Sequence, residues 1–201
     1  MRSFHDIQRD LGLVLYADSP LGRVSASPSH ERGERLLVRH LDGEIPPSLL
    51  DAWIDLASSA AAWVAADPTL ARLLRVEQPV ERGRDFLATR HIIGTSLRRF
   101  VERKPWPPPE RDPRDAADLD DDEPPPAIEP PDELGPMLER FAVQARTARS
   151  ARERLVVELL TRAVLAPAIH TIYDYRDSRF VVADLEPTRA ELERWAELMR
   201  S

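Results

Sequence analysis

Cysteine is absent from the 201-residue chain. That excludes disulfides, thiolate nucleophiles and cysteine-ligated metal sites, and it suits a cytoplasmic protein. Lysine is nearly absent: Lys104 stands alone among 28 basic residues, the rest being arginine, a bias that reflects genome composition of a bacterial type more than function. Positive charge is in deficit overall. The formal net charge is −7 and the pI about 5.3, which argues against general affinity for DNA or RNA, because such binding rests on neutralising phosphates. No apolar run approaches the roughly 20 residues of a membrane span, and Met1–Asp10 has no long apolar stretch behind its positive charge, so neither a membrane anchor nor a signal peptide is expected.

Proline is plentiful and unevenly placed. Of 19 prolines, 11 lie between Pro105 and Pro136, together with the acidic run Asp118-Leu-Asp-Asp-Asp-Glu123. Such a segment buries too little apolar surface to offset its ordering entropy. The sequence therefore divides into a first domain at 1–104, an acidic, proline-rich linker at 105–132 and a C-terminal region at 133–201.

Before the linker the pattern predicts strands and one helix. Leu11–Tyr16 and Arg23–Ser27 are short apolar runs around the turn-forming Ala17–Gly22, and Arg35–Leu41 is a third strand. A helix is predicted from an N-cap at Ser48, with Leu49, Leu50, Trp53, Ala57, Ala60, Ala61 and Val64 on one face and Asp67-Pro68 as its stop. Leu73–Gln78 and Asp85–Ile92 read as two further strands. After the linker, one long helix over 134–166 carries Arg146, Arg149, Arg152 and Arg154 where its apolar stripe is thinnest. A hairpin (Thr171–Tyr175, Phe180–Ala183) and a final helix opened by the Thr188-Arg-Ala-Glu191 capping box complete the chain. The predicted fold class is α+β: an antiparallel sheet with one packed helix, then a long helix, a β-hairpin and a terminal helix.

The segment Gly83-Arg-Asp-Phe-Leu-Ala-Thr-Arg-His-Ile-Ile-Gly-Thr-Ser-Leu97 is a strand, a connector and then Gly-Thr-Ser-Leu opening a helix. It resembles the hinge of protein kinases. The order of elements over roughly residues 8–103 is similar to the kinase small lobe. The resemblance implies that Thr89 is the gatekeeper and that Arg90–Ile92, including His91, form the hinge beside an adenine pocket. Kinases cover the phosphates with Gly-x-Gly-x-x-Gly-x-Val. The matching stretch, Ala17-Asp-Ser-Pro-Leu-Gly-Arg-Val24, keeps only Gly22 and Val24, puts Ala17 and Ser19 in place of glycines, stiffens the tip with Pro20 and adds the charge of Asp18. Arg39 stands where the third strand should carry lysine, and its planar fork does not replace an ammonium. Its glutamate partner is missing, since 48–66 contains no Glu. No His-Arg-Asp occurs anywhere, and Phe180-Val-Val-Ala-Asp184 resembles the entry to the Asp-Phe-Gly metal loop but continues Leu-Glu186-Pro187. Gly22, Val24, Arg39, Thr89, His91 and Asp184 are the residues that a remnant nucleotide site would use.

Outside that pattern, none of the five histidines pairs with another at metal-ligand spacing. His170, Asp174, Asp177 and Asp184 could converge on the late hairpin as a hydrolytic or metal site; turn and strand-edge polarity is the simpler account. Trp106, within Lys-Pro-Trp-Pro-Pro-Pro, suits a partner anchor or a fold-back contact. Arg146, Arg149 and Arg152 suit an acidic surface or phosphate. The expected function is a non-catalytic, kinase-like protein-interaction or regulatory module, with no cofactor and no metal, whose partner is another protein or a second copy. A nucleotide-binding atypical enzyme or sensor, and an unrelated α+β subunit of a larger complex, are the alternatives.

Overall fold

Ser3 starts the fold. Its hydroxyl accepts from the Asp6 N–H (3.3 Å) and the Asp6 carboxylate accepts from the Ser3 N–H (3.0 Å), a capping box that opens helix α1, Phe4–Leu11. Gly12, at φ 61°, closes it in the left-handed conformation that glycine adopts without strain. Leu11 was expected to begin a strand; these two caps make it the end of a helix instead. The computed structural model describes residues 1–19, 22–27, 35–41, 46–92, 94–97, 134–165, 171–174 and 177–200. The expected linker at 105–132, with Trp106 in it, and His170 lie outside the described residues.

Strands β1 (Val14–Ser19), β2 (Gly22–Ala26), β3 (Leu36–Leu41), β5 (Glu81–Arg82) and β6 (Phe86–Arg90) form a five-stranded antiparallel sheet in the order β1-β2-β3-β6-β5. A register shift between Leu15 and Ala17 bulges the β1 edge. Alternation along β3 and β6 sorts side chains to two faces. Val38, Phe86 and Ala88 meet Ile7 and Leu13 under α1 in a small core, while Leu41 and Leu87 face the main core. Fully burying a ring such as Phe86 stabilises by roughly 1.5–3 kcal/mol.

Helix α2 runs Pro47–Ala65. Ser48 was expected as its N-cap, but Pro46 holds that place in extended geometry and Pro47 sits at the first helical position, where its fixed φ suits the helix and no N–H is missed. Its buried face includes Leu49, Leu50, Trp53, Ala57, Ala60 and Val64, as the periodicity implied, and Leu56 besides, while Ala61 is only half-buried. Asp67-Pro68 ends α2 and also begins α3, Pro68–Leu73, because the Asp67 carboxylate accepts from Thr69 N–H (2.9 Å) and Leu70 N–H (3.4 Å).

The strand expected over 73–78 belongs to a different sheet. Strand β4 (Leu74–Val76) does not pair with β6; it leaves the main sheet and pairs in parallel with β9 (Arg179–Val182). A second sheet, β4-β9-β8-β7, is completed by β8 (Thr171–Asp174) and β7 (Gly94–Ser96). The Gly-Thr-Ser expected to open a helix is thus strand, and helix is assigned from Leu97, the last residue described before 134. A Cβ on Gly94 would overlap the Tyr173 carbonyl, so the pairing with β8 needs glycine there.

The expected 134–166 helix is two, α4 (Leu134–Thr147) and α5 (Ala151–Leu165). Ser150 breaks it. Its hydroxyl accepts from Glu153 N–H (3.0 Å) while the Glu153 carboxylate accepts from Arg149 N–H (2.7 Å), a local bonding set that competes with helix continuation. Helix α6 (Arg189–Arg200) opens at Thr188 with its expected partner Glu191: Thr188 N–H donates at 2.7 Å and Glu191 N–H returns at 3.3 Å. The main core draws Leu41, Trp53 and Leu87 together with Leu155, Phe180 and Trp195. Residues on both sides of 105–132 therefore share one core, and α2 packs against α6, α5 and β4. Among the described residues, no helix is long and apolar enough to cross a membrane.

Candidate functional site

One row across the main sheet organises the site. Val24 on β2 pairs with Arg39 on β3, and Arg39 pairs with Leu87 on β6, so the three side chains share a face. Thr89 lies two residues beyond Leu87 and pairs with Leu37. Gly22 sits at the end of the same strand pair, against Leu41 and Ser19. The strand β6 then hands over through His91 and Ile92 to β7 of the second sheet; His91 N–H donates to the Arg35 carbonyl at 2.8 Å. Burial, with Arg35 nearby, holds the His91 imidazole below its ordinary pKa and so favours the neutral ring.

Arg39 and Asp184, 145 positions apart, form an ion pair through Nη2 and Oδ2. Glu186 joins the same Nη2 at 3.4 Å. The other Asp184 oxygen accepts from the Glu186 N–H at 2.8 Å, folding Asp184-Leu185-Glu186 into a tight turn in which Glu186 takes φ 38°. The Arg39 guanidinium also lies 5.3 Å from the centre of the Trp53 ring on α2, an attractive cation–π contact. The side chains of Arg39, Asp184 and Glu186 are 10, 23 and 26 % exposed. One cation thus faces two carboxylates and an indole, in a partly desolvated setting where removal of one partner leaves a poorly compensated charge. Chemically this is a closed network: the guanidinium is committed to carboxylates, and both oxygens of Asp184 are already bonded.

A second cluster lies on the second sheet. Arg75 of β4 hydrogen-bonds Glu77 (2.7 Å) and Asp174 (2.8 Å) and forms an ion pair with Asp177 (3.2 Å). Burial raises the Glu77 pKa, with Asp174 adding to it, against the opposing pull of Arg75 and Arg90. Asp174 and Asp177 therefore do converge near the hairpin, but on an arginine, and Asp184 goes elsewhere. Among the described residues no group of three or more His, Asp or Glu side chains is placed to hold a metal ion.

The arginines picked out on 146–152 separate. Arg146 lies exposed in the last turn of α4, Arg149 lies exposed in the α4–α5 connection, and Arg152 binds Asp55 (3.1 Å) and lies 4.9 Å over the Trp195 ring. Asp55 also accepts from the Trp195 indole N–H at 3.0 Å. Asp67, capping α3, accepts as well from Gln144 (2.8 Å) and Arg140 (2.7 Å) of α4. Burial works to raise its pKa, and these bonds together bring it below the carboxylate norm. Glu186, Trp53, Arg75 and Asp67 are what sequence reasoning missed. Only Asp67 carried a signal, the Asp-Pro pair that marks a helix start as well as a stop.

Comparison with protein-family models and with curated proteins finds no match to this chain.

Proposed function

We propose that the chain is a non-catalytic, kinase-like interaction module whose nucleotide end is closed by its own side chains. The observation that carries this reading is the Arg39–Asp184–Glu186 network. Arg39 and Asp184 were each singled out by a different part of the kinase pattern, and the fold brings them together. The pairing commits the one cation that would meet phosphates and the one carboxylate that would hold a metal, and Val24 and Leu87 wall the same row. The five-stranded antiparallel order β1-β2-β3-β6-β5 with α2 inserted after β3 also suits a small-lobe ancestry. With its chemistry silent, the module acts by binding another protein, in a cytoplasmic setting.

A thermal unfolding scan with and without millimolar Mg-ATP tests the reading, since a ligand that binds only the folded state raises the midpoint. No shift is expected. A saturable upward shift lost in Arg39→Ala overturns it in favour of a nucleotide sensor that opens the ion pair. The departure of β4 to the second sheet favours the other alternative, an unrelated α+β subunit. That reading also leaves ATP without effect, and it predicts that Arg39→Leu with Asp184→Leu preserves partner binding.

A further inference from the structure

We infer that the turn between α4 and α5, with the groove beside it, is a docking site for an acidic peptide of a partner protein carrying one bulky apolar side chain. The inference rests on the interaction-module reading and names the partner's chemistry. Three observations converge. First, charge is distributed against the grain of the molecule. The whole chain is at −7, yet 139–154 holds five arginines (140, 146, 149, 152, 154) against Glu139 and Glu153. Arg140 is held by Asp67 and Arg152 by Asp55, and Glu153 is engaged by the Arg149 backbone N–H. Arg146 and Arg149 are exposed and have no ion-pair partner among the described residues. Paired arginine forks presented to solvent recognise carboxylates.

Second, a groove of 130 Å³ opens between α2, α5 and α6, lined by Ser59, Trp63, Arg152, Glu153, Val156 and Trp195. Its floor is formed by the buried Trp195 and Val156, the half-buried Trp63 gives it an accessible apolar face, and Ser59, Arg152 and Glu153 supply its polar edges. Third, the two features adjoin. Arg152 and Glu153 line the groove, and the Glu153 carboxylate is hydrogen-bonded to the backbone of Arg149 itself. An apolar anchor in the groove would therefore sit with neighbouring carboxylates against the arginine turn. A basic or neutral peptide has no counterpart for Arg146 and Arg149, and an acidic peptide without an anchor leaves the face of Trp63 unused.

Fluorescence anisotropy on the full chain tests this. The probe is a labelled twelve-residue peptide of Asp and Glu with a single central Leu, and the control has Ser at that position. Saturable binding is expected at low salt, weakened at least tenfold by the Leu-to-Ser change, at least tenfold by Arg146→Glu with Arg149→Glu, and similarly by Ser59→Arg, which fills the groove. Both arginines are exposed, so the double variant should unfold at the parent temperature. Equal binding of the two peptides, or no binding, overturns the proposal. Two other occupants are read in the same samples. A concentration-dependent mass doubling abolished by the double variant assigns the surface to a second copy. Tighter peptide binding after Asp120, Asp121 and Asp122 are changed to Asn assigns it to the chain's own acidic run. Either result overturns the partner proposal. A positive Mg-ATP shift, by contrast, sinks the interaction-module reading whatever the peptide does.

Discussion

Two arginines, Arg39 and Arg75, are each surrounded by carboxylates, and the molecule treats them differently. Arg39 ties the main sheet to a turn near the C-terminal helix, and its partner Asp184 has a second bond from the Glu186 N–H. Arg75 works within the second sheet, joining β4 to β8 and the hairpin turn, and gathers three acids for one cation. There the excess shows: Glu77, only 4 % exposed at its side chain, has a raised pKa because burial outweighs the pull of Arg75. The same ingredients give a satisfied lock in one place and a residual penalty in the other. The difference lies in how many donors reach each carboxylate and how much water remains.

Breaking the lock should have the largest effect. Arg39→Ala strands Asp184 and Glu186 beside each other in a partly buried setting and removes the cation from Trp53, so a loss of about 3–5 kcal/mol is expected in urea unfolding. A loss under about 1 kcal/mol would mean the network is solvated like a surface pair. Next in size is Gly94→Ala. Its Cβ collides with the Tyr173 carbonyl, forcing β7 away from the strand that delivers Asp174 to Arg75, at a cost of about 1–3 kcal/mol. Hydrogen exchange of β8 amides should quicken in that variant while that of β2 and β3 stays unchanged.

Glu77→Gln sharpens the comparison with the opposite sign. The amide oxygen can still accept from Arg75, while the buried charge is gone, so stability at neutral pH should rise, by less than about 1 kcal/mol. A carboxyl with a raised folded pKa penalises the native state above that pKa and no longer does so below its unfolded value. The advantage of the Gln variant should therefore be present at neutral pH and vanish as pH falls through the Glu77 titration. A variant less stable than the parent at pH 7 would show that the Arg75 ion pair outweighs desolvation.

Much of the main sheet was legible because its pairings are local: β1 to β2 and β2 to β3 are neighbours in sequence, each with its alternation intact. Of the second sheet the β8–β9 hairpin was legible for the same reason, but the rest was not, since β4 pairs with β9 and β7 with β8 across about a hundred or about eighty residues respectively, and no short-range pattern encodes such partners. Helix ends were read where a capping box stood alone, as at Thr188. They were not legible at Leu11, where the Ser3-x-x-Asp6 box opens a short, mostly polar helix, nor at Ser150, where continuous apolar spacing hides a cap. Of the site, Arg39 and Asp184 were nameable from the kinase pattern, but Trp53 read only as a core residue and Glu186 only as a departure from glycine.

That departure sets up the smallest effect, and the one that bears most on function. Glu186 occupies φ 38°, just before Pro187, a conformation that costs a side-chain-bearing residue roughly 1–2 kcal/mol and glycine little. Against this strain stand the 3.4 Å contact to Arg39, worth about 0–1 kcal/mol as an outer ion pair, and the extra chain entropy of glycine, about 0.5–1 kcal/mol. Glu186→Gly should thus leave stability within about 1 kcal/mol of the parent, with one cation then facing one carboxylate. Asp184 keeps Arg39 and the residue-186 N–H, so the lock stays shut and Mg-ATP should still leave the melting midpoint unmoved. If this one change brings an ATP-dependent rise, the barrier to nucleotide was the single negative charge of Glu186 and not the Arg39–Asp184 pair. The exclusion of nucleotide proposed for this site would then rest on one residue of a turn, not on the architecture around it.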